Sequence, residues 1–412
     1  MTKFEYLIIG GGIAGTTAAE TIRKNDEKGT IAVISEESEP LYSRLTLHHY
    51  LKDLIPFERL YLRNDNFYKE KKIELFKGKK AQKLDVSKKE ITLDDGQVFG
   101  FDKLLIATGG HPNQWQVKGE DEKGVFCFRT IQDAKNIKRR IEKIKTINPH
   151  VVIIGGSFIA LDLVTSFVKQ GLKTTILVRR DYFLQNRLDE ECAKLIEDIL
   201  RKNNIEVLPH EEVEKVLGDG KVEGVRLKSG KTLKAGMVAV GIGINFGLEW
   251  LKLAGISTNR GILANEYLET NIPGVFCAGD CCEFWDVLSQ TQHRVGNWQN
   301  AQKQGEAAGL NMCGKKTIYE TVSTYSISFF DANACFCGMT DLDGASFAVT
   351  RGARENGSLG HLFLKNNRLV GATLVNRLNE QSSIAALIKN KVDLSVVLDK
   401  LSDPNFDLQV LL

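Results

Sequence analysis

The chain of 412 residues lacks the features that mark membrane, secreted or nucleic-acid-binding proteins. It has no run of about 18 apolar residues, which argues against a transmembrane helix. Lys and Arg number 55 against 52 Asp and Glu, and a net charge of +3 is too small to favour a nucleic acid or an anionic membrane as partner. Only seven prolines occur, so long linkers are not expected. The first residues show no signal-peptide pattern, and we expect a cytoplasmic protein of about two to four domains.

Cysteines are also few, and they are unevenly spaced. The eight residues stand at positions 127, 192, 277, 281, 282, 313, 335 and 337. Since no Cys-x-x-Cys pair occurs, neither a disulfide framework nor a cysteine-rich metal site is expected. We predict free thiols that are buried or half-buried, and no metal site.

The N-terminal residues instead carry a glycine turn between a strand and a helix. An apolar strand at 6–9 precedes Gly-Gly-Gly-Ile-Ala-Gly at 10–15, and an alanine-rich helix is predicted at 16–24. A second strand at 30–34 is followed by Glu36. Glycines at these positions allow a tight turn and a close approach of a pyrophosphate to the helix N-terminus, while the acid suits ribose hydroxyls. This combination predicts a dinucleotide site.

A similar unit recurs about 145 residues later. A strand at 151–154 leads into Gly-Gly-Ser-Phe-Ile-Ala at 155–160, a helix predicted at 159–170 and a strand at 174–178. Ser157 and Ala160 replace the second and third glycines. Arg179 and Arg180 stand where an acid would otherwise meet a ribose hydroxyl, so we expect NADPH to be preferred to NADH. Two such units predict two dinucleotide sites.

The rest of the chain supplies further strands and a separate C-terminal region. Strands ending in glycines are predicted at 104–110 and 237–243, and a strand within 271–280 ends at Asp280. Beyond about residue 320, strands are predicted at 325–330, 346–350, 360–364 and 369–374, followed by helices to the C-terminus. The apolar residues of 382–412 are read as helices packed on this domain, rather than as a membrane-surface anchor, because four aspartates would repel anionic lipid.

These motifs, taken in order, closely resemble one protein family. They are IIGGGIAG with Glu36, PLYSRLTLHHYL, LLIATGG, VIIGGSFIALDL, VAVGIG and NIPGVFCAGD. They resemble the FAD-dependent pyridine nucleotide–disulfide oxidoreductase superfamily, and within it the NAD(P)H-dependent rubredoxin and ferredoxin reductases and the flavin part of nitrite reductases. The resemblance implies an α/β fold of two Rossmann-like domains plus a C-terminal α+β domain. It places the FAD domain at 1–112 and 239–319, the NAD(P)H domain at 113–238 and the C-terminal domain at 320–412.

The resemblance also implies which residues bind the cofactors. Those expected to bind FAD are Gly10, Gly12, Ile13, Ala14, Gly15, Glu36, Arg44, Ala81, Thr108, Gly109, Gly279, Asp280 and Trp298. Those expected to line NADPH or NADH are Gly155, Ser157, Ala160, Arg179, Arg180 and Gly241. Asp280 is expected on the ribityl chain and Trp298 near the isoalloxazine, although a lone tryptophan often belongs to a core.

Three departures from the family narrow the range of expected activities. Disulfide reductases of the superfamily carry a redox Cys-x4-Cys soon after the first nucleotide unit, whereas the first cysteine here is Cys127. Single-cysteine relatives place a thiol near the position of Ser43, which cannot form a sulfenic acid. The C-terminal region has one histidine, His361, and no His-x4-Glu pair. Thiol and peroxide chemistry are therefore disfavoured.

We thus predict an enzyme that passes electrons from NAD(P)H through FAD to a small rubredoxin-type or ferredoxin-type protein. One alternative is an oxidase or diaphorase that reduces oxygen or a quinone directly. Another is a slow flavoprotein subunit or interaction module, as in apoptosis-inducing-factor-like relatives. The sequence leaves a homodimer open and names no specific acceptor.

The last expectation concerns the site of hydride transfer. Related reductases pair a Lys of the helix after Tyr-Ser-Arg with a Glu of the second unit. The matching positions here hold His49 and Asp162, which we predict to face each other as catalytic residues, the carboxylate raising the pKa of the imidazole. The competing hypotheses are that His48 points inward instead, or that Asp162 merely lies near a helix N-terminus.

Overall fold

The computed structural model describes residues 2–185, 188–340 and 345–412. The chain forms two compact units, each assembled from several segments. The first unit comprises residues 1–43, 61–111 and 245–323, and the second comprises residues 44–60, 112–244 and 324–412. The three-domain division expected from the sequence stays a prediction.

The described residues contain 25 strands. They are β1 (Thr2–Ile9), β2 (Ile31–Ser35), β3 (Ile73–Lys77), β4 (Ala81–Asp85), β5 (Glu90–Leu93), β6 (Val98–Ile106), β7 (His111–Pro112), β8 (Val125–Cys127), β9 (His150–Ile154), β10 (Lys173–Val178), β11 (Glu206–Pro209), β12 (Val213–Gly218), β13 (Val222–Leu227), β14 (Thr232–Lys234), β15 (Met237–Val240), β16 (Ile244–Asn245), β17 (Ile262–Ala264), β18 (Val275–Cys277), β19 (Cys282–Asp286), β20 (Thr291–His293), β21 (Thr324–Phe329), β22 (Ala332–Gly338), β23 (Phe347–Ala353), β24 (Ser358–Lys365) and β25 (Arg368–Val375).

The same residues contain nine α-helices. They are α1 (Ile13–Asn25), α2 (Leu47–Leu51), α3 (Asp65–Glu70), α4 (Ile131–Ile144), α5 (Phe158–Lys169), α6 (Glu190–Lys202), α7 (Glu249–Leu253), α8 (Trp298–Met312) and α9 (Gln381–Lys389). No helix among the described residues combines the length and the apolar character needed to cross a membrane.

The first unit is built on a largely parallel sheet in the strand order β3-β2-β1-β6-β5-β4, with β18 also paired to β6. Strands β1, β2, β3 and β18 run parallel to their neighbours, while β4 and β5 form an antiparallel extension. The central strands are almost continuously apolar and buried, as expected for a sheet covered on both faces. The glycine turn after β1 therefore lies at the carboxyl end of the sheet, where α/β proteins bind ligands.

The second unit contains the recurring pattern. Its five-stranded parallel sheet has the order β11-β10-β9-β15-β8. Strands β12, β13 and β14, which lie between β11 and β15 in the sequence, form a small antiparallel sheet. The expectation of two Rossmann-like arrangements is confirmed. Helix α5 begins at Phe158 because Ser157 caps it, one residue earlier than predicted.

The C-terminal residues of the second unit form an antiparallel sheet in the order β21-β22-β25-β24-β23, with α9 packed on β22 and β25. The expected α+β character of these residues is thus confirmed, while their separation as a domain stays a prediction. One strand was missed: β22 is rich in Ala, Asn and Cys, which are not the β-branched residues that signal a strand.

The segment after α9 corrects the expectation of continuous helices. Helix α9 ends at Lys389, and only short 3₁₀ turns follow, at Leu398–Lys400 and Leu408–Leu411. Arg351, almost fully buried, donates to the carbonyls of Leu401 and Phe406, and its Nε lies 2.9 Å from Glu380. These carbonyls bond a guanidinium instead of helical amides, which holds the segment in an irregular path.

The thiols agree with the sequence prediction. All eight cysteines are free; Cys127 and Cys313 are half-buried and the others are buried. Burial raises the pKa of the Cys281 thiol to about 12, so this group stays protonated at neutral pH.

Candidate functional site

In the first glycine turn, Gly10 and Gly15 leave no room for a side chain. Gly10 has a φ of +119°, and a Cβ there would lie 2.1 Å from the carbonyl oxygen of Ala107. A Cβ on Gly15 would lie 1.9 Å from the carbonyl oxygen of Gly10. Gly12, by contrast, faces open space and is the N-cap of α1, with no side chain capping the helix. Uncapped amides facing open space at a helix N-terminus fit a dinucleotide pyrophosphate.

Other expected FAD residues gather at the same end of the sheet. Ala14 would lie 3.3 Å from a Cβ on Gly279, which has a φ of +84°, and a Cβ on Gly10 would lie 3.1 Å from the amide nitrogen of Thr108. The Gly279 amide donates to the side chain of Gln304 at 2.7 Å. Gln304 is a contact that the sequence reasoning missed, because it comes from a helix 25 residues away.

Glu36 follows β2 and carries a charge at neutral pH. Its carboxylate lies 3.0 Å from Lys80 Nζ and 3.2 Å from His111 Nε2, and its side chain is 45% exposed. Hydrogen bonds from His111 and then Lys80 lower its pKa to about 2 despite partial burial. Ala81 directly follows Lys80, so Glu36 and the expected adenine contact lie close together. Neither Lys80 nor His111 had a signal in the sequence.

Trp298 opens α8 and lines a cavity of about 290 Å³ together with Ile13, Thr17 and Leu62. Helices α1 and α8 pack closely along their length, which brings this tryptophan beside the first turn of α1. Asp280 lies near Gly296, where a Cβ would stand 3.6 Å from its carboxylate. The predicted contacts of Trp298 with the isoalloxazine and of Asp280 with the ribityl chain stay predictions.

At the second glycine turn, a side chain of the protein already caps the helix that follows. Gly155 has a φ of +105°, and a Cβ there would lie 2.5 Å from the carbonyl oxygen of Gly241, so the two glycines are in close approach. The Ser157 hydroxyl accepts the Ala160 amide at 3.3 Å as the N-cap of α5. One amide at the N-terminus of α5 is thus already hydrogen-bonded to a side chain, whereas α1 has no side-chain cap.

Three arginines expected at the cofactors differ in their surroundings. Arg179 and Arg180 are exposed and follow β10 directly, at the carboxyl end of the second sheet. Asp181, the next residue, lies 3.6 Å from His210. Arg44 donates to the carbonyl of Arg129 at 2.7 Å within the second unit.

The expected partner of Asp162 is corrected by the structure. His48 Nδ1, rather than a nitrogen of His49, lies 3.7 Å from Asp162 Oδ1, and the two side chains are 17% and 19% exposed. The ring of His49 packs on that of His48 at 4.1 Å between centroids. Helix α2 is held to α5 by the Gln170 side chain, which donates to the Leu51 carbonyl at 2.7 Å. The alternative hypothesis on His48 therefore describes the contact, and the catalytic role of His49 stays a prediction.

Burial, and not the mutual attraction, governs the charges of this cluster. It raises the pKa of Asp162 to about 7, against the opposing pull of Lys52. It lowers the pKa of His48 to about 3, helped by His49 and Lys52. An ion pair at 3.7 Å would shift both values the other way, so the imidazole is neutral at neutral pH. The expectation that the carboxylate raises an imidazole pKa is wrong, since that of His49 is also lowered.

Comparison with known proteins places the chain in a family. A family model described as pyridine nucleotide-disulphide oxidoreductase matches residues 4–305. The match covers most of the chain, which therefore belongs to the pyridine nucleotide-disulphide oxidoreductase family. The chain is an oxidoreductase, and its cofactors are FAD and a nicotinamide dinucleotide.

Individual relatives differ in how much of their length is shared. The ferredoxin reductase subunit of 5,5'-dehydrodivanillate O-demethylase from Sphingobium sp. is 29% identical over 415 residues, covering 100% of this chain and 99% of that protein. The NAD(P)H nitrite reductase of Bacillus subtilis is 25% identical over 398 residues, but the chain spans only 48% of its length. The reductase in the crystal structure of the covalent putidaredoxin reductase–putidaredoxin complex superposes with a TM-score of 0.92 at 23% identity, over 100% of this chain and 98% of that chain.

Proposed function

We propose that the protein is a reductase that transfers electrons from NADPH or NADH through FAD to a small iron–sulfur or rubredoxin-type protein. The observation that carries the proposal is the pair of glycine turns, one in each unit, at the carboxyl ends of parallel sheets. Similarity along its full length to a ferredoxin reductase subunit supports the choice of acceptor. The specific acceptor, a homodimer and a cytoplasmic location stay predictions.

The protein's own residues bind and orient the cofactors. The bound cofactors supply the redox chemistry, which is hydride transfer followed by the release of single electrons. The open amides at Gly12 and the charged Glu36 would hold FAD, and Gly155 with Gly241 would let a nucleotide approach the second sheet. Because Ser157 already occupies one amide of the second turn, fewer donors remain for a phosphate there. This suits the nucleotide that exchanges at each turnover.

The arrangement of the thiols favours an electron-transfer partner over a disulfide substrate. Cys277, Cys281 and Cys282 are fully buried, so none offers a sulfur to an external disulfide. Cys127 is only partly exposed, and burial raises the pKa of its thiol. A thiolate nucleophile for disulfide exchange is therefore not provided at these positions.

The acceptor proposal is tested by rapid mixing of the FAD-loaded protein. The protein is first reduced with NADPH or NADH and then mixed with a plant-type ferredoxin, a rubredoxin, oxygen or a quinone. We expect reoxidation by at least one iron–sulfur protein to exceed reoxidation by oxygen by about 10-fold or more. Equal or faster reoxidation by oxygen or quinone would favour the oxidase, and very slow reduction by both nucleotides would favour the interaction module.

The two exposed arginines predict the choice of nucleotide. We expect kcat/KM for NADPH to fall by about 10-fold or more in Arg179→Glu, because a charge-assisted hydrogen bond to the 2′-phosphate is lost. The NADH value should change little. Lys173→Glu, at the opposite end of the same strand, is the matched control for a charge reversal. Wild-type protein that uses NADH as well as NADPH would contradict the preference.

The corrected contact predicts which histidine assists hydride transfer. We propose that His48 acts with Asp162 beside the nicotinamide, with the neutral imidazole holding the carboxyl group in place. His48→Ala should slow the reduction of FAD by about 10-fold, the scale of a positioned acid–base group. His49→Ala should stay within about twofold, measured by stopped-flow reduction. The reverse order of effects would restore the role first assigned to His49.

A further inference from the structure

Three metal-ligating side chains, none of them assigned to a cofactor, converge in the second unit. They are Asp189, Cys192 and His361, whose ligand atoms all lie within 4.8 Å of one another. His361 Nδ1 is 3.0 Å from Asp189 Oδ2. Cys192 is fully buried, whereas the Asp189 and His361 side chains are 16% and 15% exposed, which leaves a route from solvent.

Two of the three ligands, the carboxylate and the imidazole, are each oriented by a contact on their other side. Asp189 is the N-cap of α6, and its Oδ1 accepts the amide of Cys192 at 3.0 Å, so Oδ2 is directed toward His361. His361 lies in β24, and its Nε2 is 3.2 Å from the Thr350 hydroxyl on the neighbouring strand. Such second contacts fix ligand orientation in metal sites.

A fourth polar group interacts with the Cys192 thiol. Thr373 pairs in register with His361 across β24 and β25 and is fully buried. A hydrogen bond from its hydroxyl lowers the pKa of the Cys192 thiol, while burial raises that pKa overall.

We propose that Asp189, Cys192 and His361 bind a divalent transition-metal ion of the zinc type, which cross-links the start of α6 to β24. Sulfur, imidazole and carboxylate are the ligands that zinc takes, with bonds of about 2.0–2.3 Å. Ligand atoms within 4.8 Å reach such distances from one point after shifts of about 1 Å or less. A thiolate and a carboxylate together neutralise the two positive charges.

Binding would form a metal–sulfur bond and release the thiol proton to solvent, with no change in oxidation state. Affinity should consequently rise with pH. The sequence held no signal for this site, because an Asp-x-x-Cys pair and a histidine some 170 residues away lack the paired-cysteine spacing of known zinc motifs.

The test measures zinc binding to the tag-free, FAD-loaded protein by calorimetry and by metal analysis after dialysis. We expect one zinc per chain, about one proton released per zinc, and a raised melting temperature. Cys192→Ala and His361→Gln should each weaken binding by about 100-fold or more. The matched control is His210→Gln, which removes an exposed histidine 3.6 Å from Asp181 that has no neighbouring thiol among the described residues.

A wild-type protein without saturable zinc binding would overturn the proposal. So would variants that bind as wild type does, or a loss of binding in His210→Gln equal to that in His361→Gln. Should Cys192→Ala fail to fold, cobalt substitution of the wild type replaces it: a sulfur-to-cobalt charge-transfer band, seen as a difference from the flavin spectrum, is expected. Its absence from cobalt-bound protein would exclude the thiolate ligand.

Discussion

Gly12→Val should give a folded protein that has lost FAD. The backbone of Gly12 has a φ of −74° and a ψ of −172°, which valine adopts without strain, and its Cβ would meet no protein atom within 4 Å. The valine side chain would instead occupy the space in front of the uncapped amides of α1. Losing two charge-assisted hydrogen bonds costs about 3 kcal/mol or more, so FAD affinity should fall by about 100-fold or more.

The measurement is the FAD content of purified protein by absorbance, with circular dichroism to show that the fold is retained. Gly15→Val is the contrasting variant, because its Cβ would lie 1.9 Å from the Gly10 carbonyl oxygen. We expect that variant to lose the fold along with the cofactor. A yellow Gly12→Val protein with normal FAD content would contradict the assignment of the pyrophosphate site.

Local patterns accounted for the parts of the site that lie within one strand, turn and helix. The turn from Gly10 to Gly15 could be predicted because its glycines closely approach the backbone a few residues away or that of one adjacent strand. The partners of Glu36 could not be, since Lys80 and His111 come from separate segments. The same holds for Gln304 on Gly279.

The confusion of His48 with His49 has a different cause. Neighbouring residues on a helix point about 100° apart, and α2 spans only Leu47–Leu51, too short for its apolar pattern to define a buried face. Only its packing on α5 determines which histidine meets Asp162.

The stability of Asp162→Asn relative to wild type should increase from acid to alkaline pH. The Asp162 carboxyl has an ordinary pKa of 3.8 and a pKa of about 7 in the folded protein, because burial opposes its charge. A raised carboxyl pKa contributes stability below about pH 4, and this contribution is lost as the pH rises through about 7. Asparagine has the same shape and carries no charge, so it removes this loss.

The lowered pKa of His48 changes the stability with pH in the opposite direction. The contributions of His48 and Asp162 must therefore be separated. Its pKa of about 3 contributes stability above about pH 6.5 that is lost as the pH falls. In wild type the two contributions nearly cancel between about pH 5 and pH 6.5, and stability declines above that range. Between about pH 5 and pH 8, the unfolding free energy of the variant should rise relative to that of wild type by up to about 3 kcal/mol.

Melting temperatures of wild type and variant across this pH range measure that difference. Asp53→Asn is the matched control in the same unit, since Lys138 and Gln170 lower the pKa of the Asp53 carboxyl. Its stabilising contribution is lost only as the pH falls, so its substitution should bring no gain at alkaline pH. A difference between Asp162→Asn and wild type that is constant with pH would mean that Asp162 is ionised throughout. Burial would then not raise the pKa of this carboxyl, and the prediction would be wrong.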